Sequence, residues 1–171
     1  MTSGERLKRD AVIEVANRQI GEKESPPGSN VCKFNDFYYE GRAKERYKRN
    51  PKPYAWCGTA VAFIFHFANI YLASDLFTCI GYVPTAQNWL EKNNKETKTP
   101  QAADIVIFDW QHDGFEDHIG IFFRWSKSNP DYCYVFEGNT SKKGSQSNGG
   151  EFLLQKRHKS LIEGFYDVIS K

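Results

Sequence analysis

The sequence predicts an α+β domain with N-terminal helices packed on one side of an antiparallel sheet. Two observations carry that prediction. Up to about residue 103 the chain shows helical spacing of apolar residues broken by turn-rich loops. From Asp104 onward, short β-branched and aromatic runs succeed one another between turn residues. Helices first and strands afterwards is the order of an α+β fold. With 171 residues, 40% of them apolar and 15% aromatic, the chain can bury one core, whereas two would be cramped. A single domain is expected over 1–171, with its core at about residues 10–168.

The first helix is expected over residues 5–20, where Leu7, Val12, Ile13, Val15, Ala16 and Ile20 form an imperfect stripe and Gly21 ends it. Glu24 to Asn30, with two prolines and a glycine, is a loop. One short helix is expected between Cys32 and Tyr54. Pro51 and Pro53 point to extended chain ahead of the next element. From Gly58 to Leu72 no residue is charged, and apolar groups occupy every side of a helical wheel, so that segment reads as a buried helix. Residues 85–93 form a further helical candidate. Strands are expected at 104–108, 118–125, 132–136, 152–157 and 164–169. No internal repeat is visible.

Charge and cysteine content narrow the function. A net charge of +2 lacks the concentrated basic stripe of a nucleic-acid binder. The basic run Gly41 to Arg49 is interrupted by Glu45 and reads as a solvated surface. Cys32, Cys57, Cys79 and Cys133 show no CxxC spacing, which gives structural zinc little support. Two disulfides remain compatible with the spacing, although a chain of this size does not need them. The start, Met1 to Arg6, has no apolar signal stretch, so synthesis in the cytoplasm is expected. The 58–72 run is shorter than the roughly 20 residues of a membrane span and carries Thr59, His66 and Asn69; it belongs to a core.

The residue richest in chemistry is Cys57, in Pro53-Tyr54-Ala55-Trp56-Cys57-Gly58-Thr59. A thiol at a helix start meets unpaired backbone N–H groups and the positive end of the macrodipole, and both favour the nucleophilic thiolate. Such a nucleophile needs a base and a group that orients the base. Of four histidines, His66 lies in the apolar helix, His112 in a loop and His158 in a basic turn. His118 opens a strand, and alternation sets it on one face with Gly120 and Phe122, where the glycine leaves room for a neighbour. At the end of the next strand, Glu137 and Asn139 project to one face if the strand continues through Gly138. Either can accept the His118 ring N–H. Taken singly, each of these residues also fits a structural role; their order along the chain raises the joint case.

That ordered set resembles the CHAP family, the cysteine- and histidine-dependent amidohydrolase/peptidase module. The matching pieces are Ala16 to Gly21, Glu24 to Asn30, Trp56-Cys57-Gly58, Asp104 to Trp110 with Asp113-Gly114, Asp117 to Ile121, and Glu137 to Thr140. A Gly149-Gly150 pair precedes the last strands, as in many phage lysins. The resemblance spans nearly the whole chain. It implies a papain-like fold and cleavage of an amide bond in bacterial peptidoglycan, by an N-acetylmuramoyl-L-alanine amidase or a peptide endopeptidase. It further implies Cys57 as nucleophile, His118 as general base and then acid, Glu137 as the residue orienting His118, and Asn139 as an auxiliary polar group. The Cys57 backbone N–H is a candidate oxyanion donor, with Tyr54 and Trp56 as substrate or oxyanion contacts.

No cofactor or metal is expected. Some phage members bind calcium through an acidic loop before the cysteine, but here Asp36, Glu40 and Glu45 are diluted by lysine and arginine. The Asp109–Asp117 loop falls partly on calcium-loop spacing yet has Gly120 where a closing glutamate belongs. The expected enzyme is a monomer acting at the cell wall, exported with help from a holin, a phage tail or a secretion system. No separate wall-binding domain is expected within residues 1–171. Two other functions fit the same residues: a catalytically silent binding module, and a cysteine amidase acting on a non-wall amide.

Overall fold

A computed structural model describes residues 1–40, 54–142 and 149–170. Among them are five α-helices followed by five strands: α1 (Ser3–Gln19), α2 (Lys33–Glu40), α3 (Cys57–Phe67), α4 (Ser74–Cys79), α5 (Val83–Lys92), β1 (Ile105–Phe108), β2 (His118–Trp125), β3 (Tyr132–Thr140), β4 (Glu151–His158) and β5 (Ile162–Tyr166). The strands form one antiparallel sheet in the order β4-β3-β2-β1-β5. The chain is an α+β fold with its helices N-terminal.

Local chemistry explains the element ends. Thr2 and Glu5 close a reciprocal capping box at the start of α1. Gly21, at φ +93°, turns the chain toward β4, where its N–H donates to the Phe152 carbonyl at 2.9 Å. The helix expected to reach Leu72 stops at Phe67. Asn69 takes a left-handed φ of 58°, and the Ile70 N–H reaches back to the Phe65 carbonyl. Over most of its length α3 is buried as expected, with His66 and Phe67 exposed at its end. The six-residue α4 was not legible in the sequence, being too short for a periodic signal. The extended segment expected at Pro51 and Pro53, and the basic run 41–49, lie outside the described residues.

The two faces of the sheet are unequal. Ile105, Ile107, Ile119, Ile121, Phe136 and Phe152 pack with α1 and α3 in the main core. The opposite face carries a smaller cluster of Val106, Phe108, Phe122, Cys133 and Val135, covered by Trp110, Leu161, Ile162 and Phe165. His118 belongs to this second face, through its alternation with Phe122. The N-terminus of α3 meets the sheet at the strand end where β2 begins and β3 ends, and the candidate site lies there.

Candidate active site

The approach to Cys57 is held rigidly from behind. The Asn35 side-chain amide of α2 donates to the Asn30 carbonyl at 2.8 Å and to the Tyr54 carbonyl at 2.9 Å. Its oxygen accepts from the Thr59 hydroxyl at 2.8 Å, tying the first turn of α3 to the lead-in chain. Trp56 is fully buried, stacks on Phe34 with centroids 5.2 Å apart, and donates its indole N–H to the buried Glu24 carboxylate at 3.3 Å. Glu24 also accepts the backbone N–H groups of Gly28 and Asn30, so the loop from Glu24 to Asn30 folds around one carboxylate. Gly58 has to be glycine, because a Cβ there would fall 1.9 Å from the Ile80 carbonyl oxygen.

Cys57, His118 and Glu137 come together as a buried file. Cys57 is the first residue of α3, and no side chain caps that terminus. His118 Nε2 lies 3.0 Å from Glu137 Oε2, and both residues are at most 2% exposed. The strand register explains how: Phe108 pairs with His118 and Ile121 with Phe136, which sets Glu137 diagonally beside the start of β2. The room left by Gly120 is taken by β3 itself, since a Cβ there would meet Val135 at 2.6 Å and Glu137 at 3.2 Å. The glycine therefore admits the orienting strand rather than a ligand.

Electrostatics follow from this geometry. Burial opposes ionisation of Cys57, but the hydrogen bond and charge of His118, with the Ile119 and Gly58 backbone N–H groups, outweigh it. The thiol is held below its ordinary range. For His118, burial works against the imidazolium, yet Cys57 and Glu137 together push its pKa up to about 9. Burial likewise opposes the Glu137 carboxylate, while Arg157 and His118 keep it below the usual range. The other buried thiols behave oppositely. Desolvation pushes Cys32 up to about 11 and Cys133 up to about 12. Only at Cys57, among these three, does the surroundings' charge prevail over burial.

A cleft of about 360 Å³ opens over this file, lined by Ala55, Cys57, Trp110, Gln111, Asp117, His118 and Asn139. Asn139 thus shares the cleft with Cys57 and His118, but it does not take the His118 ring N–H. It sits at φ 54° in a register shift of β3, and its side-chain oxygen accepts from the Gly150 N–H at 3.4 Å. Of the two oxyanion or substrate candidates, Trp56 is sealed behind Cys57 and cannot touch a substrate. Tyr54 is exposed, and Ala55 rather than Tyr54 lines the cleft. The remaining histidines lie elsewhere: His66 is exposed on α3, His112 occupies a left-handed loop position, and His158 bonds Ser160 at the end of β4. Among the described residues no three His, Cys, Asp or Glu side chains converge as a metal site. In the 109–117 loop, the Asp109 carboxylate accepts the N–H groups of His112 and Gly114, and Asp117 accepts that of Trp110.

Sequence reasoning missed Arg157. Its Nε donates to Glu137 Oε1 at 2.7 Å and its terminal nitrogen to Oε2 at 2.5 Å, while the guanidinium lies 4.8 Å from the Trp110 ring centroid. Trp110 in turn stacks on Phe108, with centroids 4.7 Å apart. The only sequence signal was a basic residue in a strand pattern, and its partner depends on the pairing of β3 with β4. Asp117 directly precedes His118, but nothing in the sequence aimed it or Gln111 at the cleft. Searched against protein-family models and curated proteins, the sequence matches none.

Proposed function

We propose that the chain is a cysteine-dependent hydrolase that cuts an amide bond in bacterial peptidoglycan. The observation that carries the chemistry is the buried Cys57–His118–Glu137 file opening onto a cleft, with the thiol lowered and the imidazole raised. The wall substrate rests on the ordered motif resemblance. In this mechanism the Cys57 thiolate attacks the amide carbonyl carbon and forms a tetrahedral oxyanion. The Cys57 backbone N–H, at an uncapped helix start, is the candidate donor to that oxygen. His118 gives its proton to the departing amine nitrogen as the C–N bond breaks, leaving a thioester. A water molecule then passes a proton to His118 and attacks the thioester carbon. The carboxylic acid product leaves and the thiolate–imidazolium pair is restored.

The experiment that tests this is digestion of purified cell walls with the full chain, followed by mass analysis of the released muropeptides. New N-termini within stem peptides mark an endopeptidase, and peptides freed from the glycan mark an amidase. Intact walls alongside rapid, selective alkylation of Cys57 point to a cysteine amidase with another substrate. Intact walls and an inert Cys57 leave a silent binding module.

A further inference from the structure

Glu137 is fully buried, yet its two oxygens serve two cationic partners at once. His118 takes one side of Oε2, and Arg157 closes a fork over both oxygens while also reaching Thr140 Oγ1 at 3.2 Å. The fork itself is 6% exposed and pressed against Trp110, so water does not replace it. We propose that Arg157 is a positioning residue that fixes the Glu137 carboxylate and shares its charge, so that His118 can release its proton to the leaving amine. The inference rests on the proposed amide-hydrolase chemistry.

The physical reason is the cost of an uncompensated buried charge. With His118 as its only cation, Glu137 would be stranded each time the imidazolium gave up its proton, and it would hold that proton back. An arginine does not titrate in this range, so it supports the carboxylate through both halves of the cycle. The planar fork also fixes the carboxylate's rotation and thereby the direction of Oε2 toward the ring. Among the described residues, the titratable and charged groups facing His118 and Glu137 are few. They are Cys57 from α3, Asp117 from the loop before β2, Cys133 from β3 and Arg157 from β4. Phe108 of β1 and Trp110 at the start of that same loop add their rings. Arg157 is the one permanent cation among these groups.

The test is the pH titration of the His118 ring, followed by NMR in the full chain with labelled histidine, in wild type, Arg157→Met, Arg157→Gln and Arg157→Lys. Loss of the cation in Met or Gln is expected to raise the His118 midpoint by about 1 to 2 pH units. Lysine, which keeps the charge, is expected to stay within about half a unit of wild type. On walls, kcat should fall about 10- to 100-fold in the neutral variants with little change in KM, and lysine should recover part of it. An unchanged or lowered midpoint in the neutral variants overturns the proposal, as does a lysine midpoint that rises with theirs. If Met does not fold, Gln carries the same prediction with the polar contact retained. A raised midpoint in a protein that leaves walls intact, wild type included, keeps this inference and removes the wall reading. Wall hydrolysis with an unmoved midpoint does the reverse.

Discussion

Two buried charge clusters in this molecule share an arginine and carboxylates but differ in what they can do. In the first, Arg9 of α1 contacts Asp104 at 2.6 Å and Asp167 at 2.9 Å, and also donates to the Ala102 carbonyl and the Ser170 hydroxyl. It pins the first helix to the chain before β1 and to the chain after β5. In the second, Arg157 holds Glu137, and Glu137 holds His118. The Arg9 cluster contains no thiol or imidazole, and none of its residues lines the cleft over Cys57. The Arg157 cluster ends in an imidazole and a thiol whose protons can move, beneath an open cleft. Buried charge alone fastens a fold; a mobile proton beside an opening is what the proposed chemistry needs.

The contrast is sharpest in the loss of single side chains. Cys57→Ala is expected to lower wall hydrolysis by at least about 10⁴-fold with an unchanged circular dichroism spectrum, since one truncation at a helix start leaves the backbone in place. Retained hydrolysis in the purified variant would end the mechanism. His118→Ala should come close to that loss, and Glu137→Gln should cost about 10² to 10⁴-fold, because an orienting group is partly replaceable. If Asn139→Ala proved far worse than Glu137→Gln, the orienting role would pass to Asn139.

Arg9→Met should invert the pattern. Leaving Asp104 and Asp167 buried without their cation is expected to lower unfolding stability by about 3 to 5 kcal/mol, read by urea denaturation. Its kcat/KM, measured where the protein stays folded, should equal wild type. A fall in both quantities would show that the two clusters are coupled.

The pH profile separates them again. Cys57 is lowered and His118 raised to about 9, so the thiolate–imidazolium pair exists between those limits. Below the Cys57 value the thiol holds its proton; above about 9 the imidazolium has lost the proton the amine needs. Above that point kcat/KM is expected to fall about tenfold per pH unit. Glu137→Gln should draw this alkaline limb downward, since the carboxylate is what helps raise His118. A limb that stays in place would detach Glu137 from His118.

The smallest effect is expected from chelation. EDTA should change activity by less than about twofold, because the acids near His118 already accept backbone N–H groups and lack the converging oxygens a calcium site needs. Loss of most activity in EDTA, restored by calcium but not magnesium, would direct attention to the Asp109–Asp117 loop.

Much of this architecture was present in local pattern. Alternation and β-branched content marked the five strands, and Gly21 marked the end of α1, because such signals depend only on near neighbours in the chain. The position of Cys57 at a helix start was legible for the same reason. Other features needed tertiary packing. Trp56, adjacent to the thiol in sequence, turned inward to Glu24, since an indole with a buried acceptor is better satisfied there than in the cleft. The choice of Glu137 over Asn139 beside His118 was set by the register shift at the end of β3, which left Asn139 in a left-handed conformation bonded to Gly150. Arg157 reached Glu137 only because β4 pairs with β3 in one register, Cys133 opposite Arg157. By itself the sequence determined which residues could donate, accept or ionise and the element that carries each. The tertiary structure decided which of them meet, because register and burial, unlike propensity, are properties of strands and helices packed together.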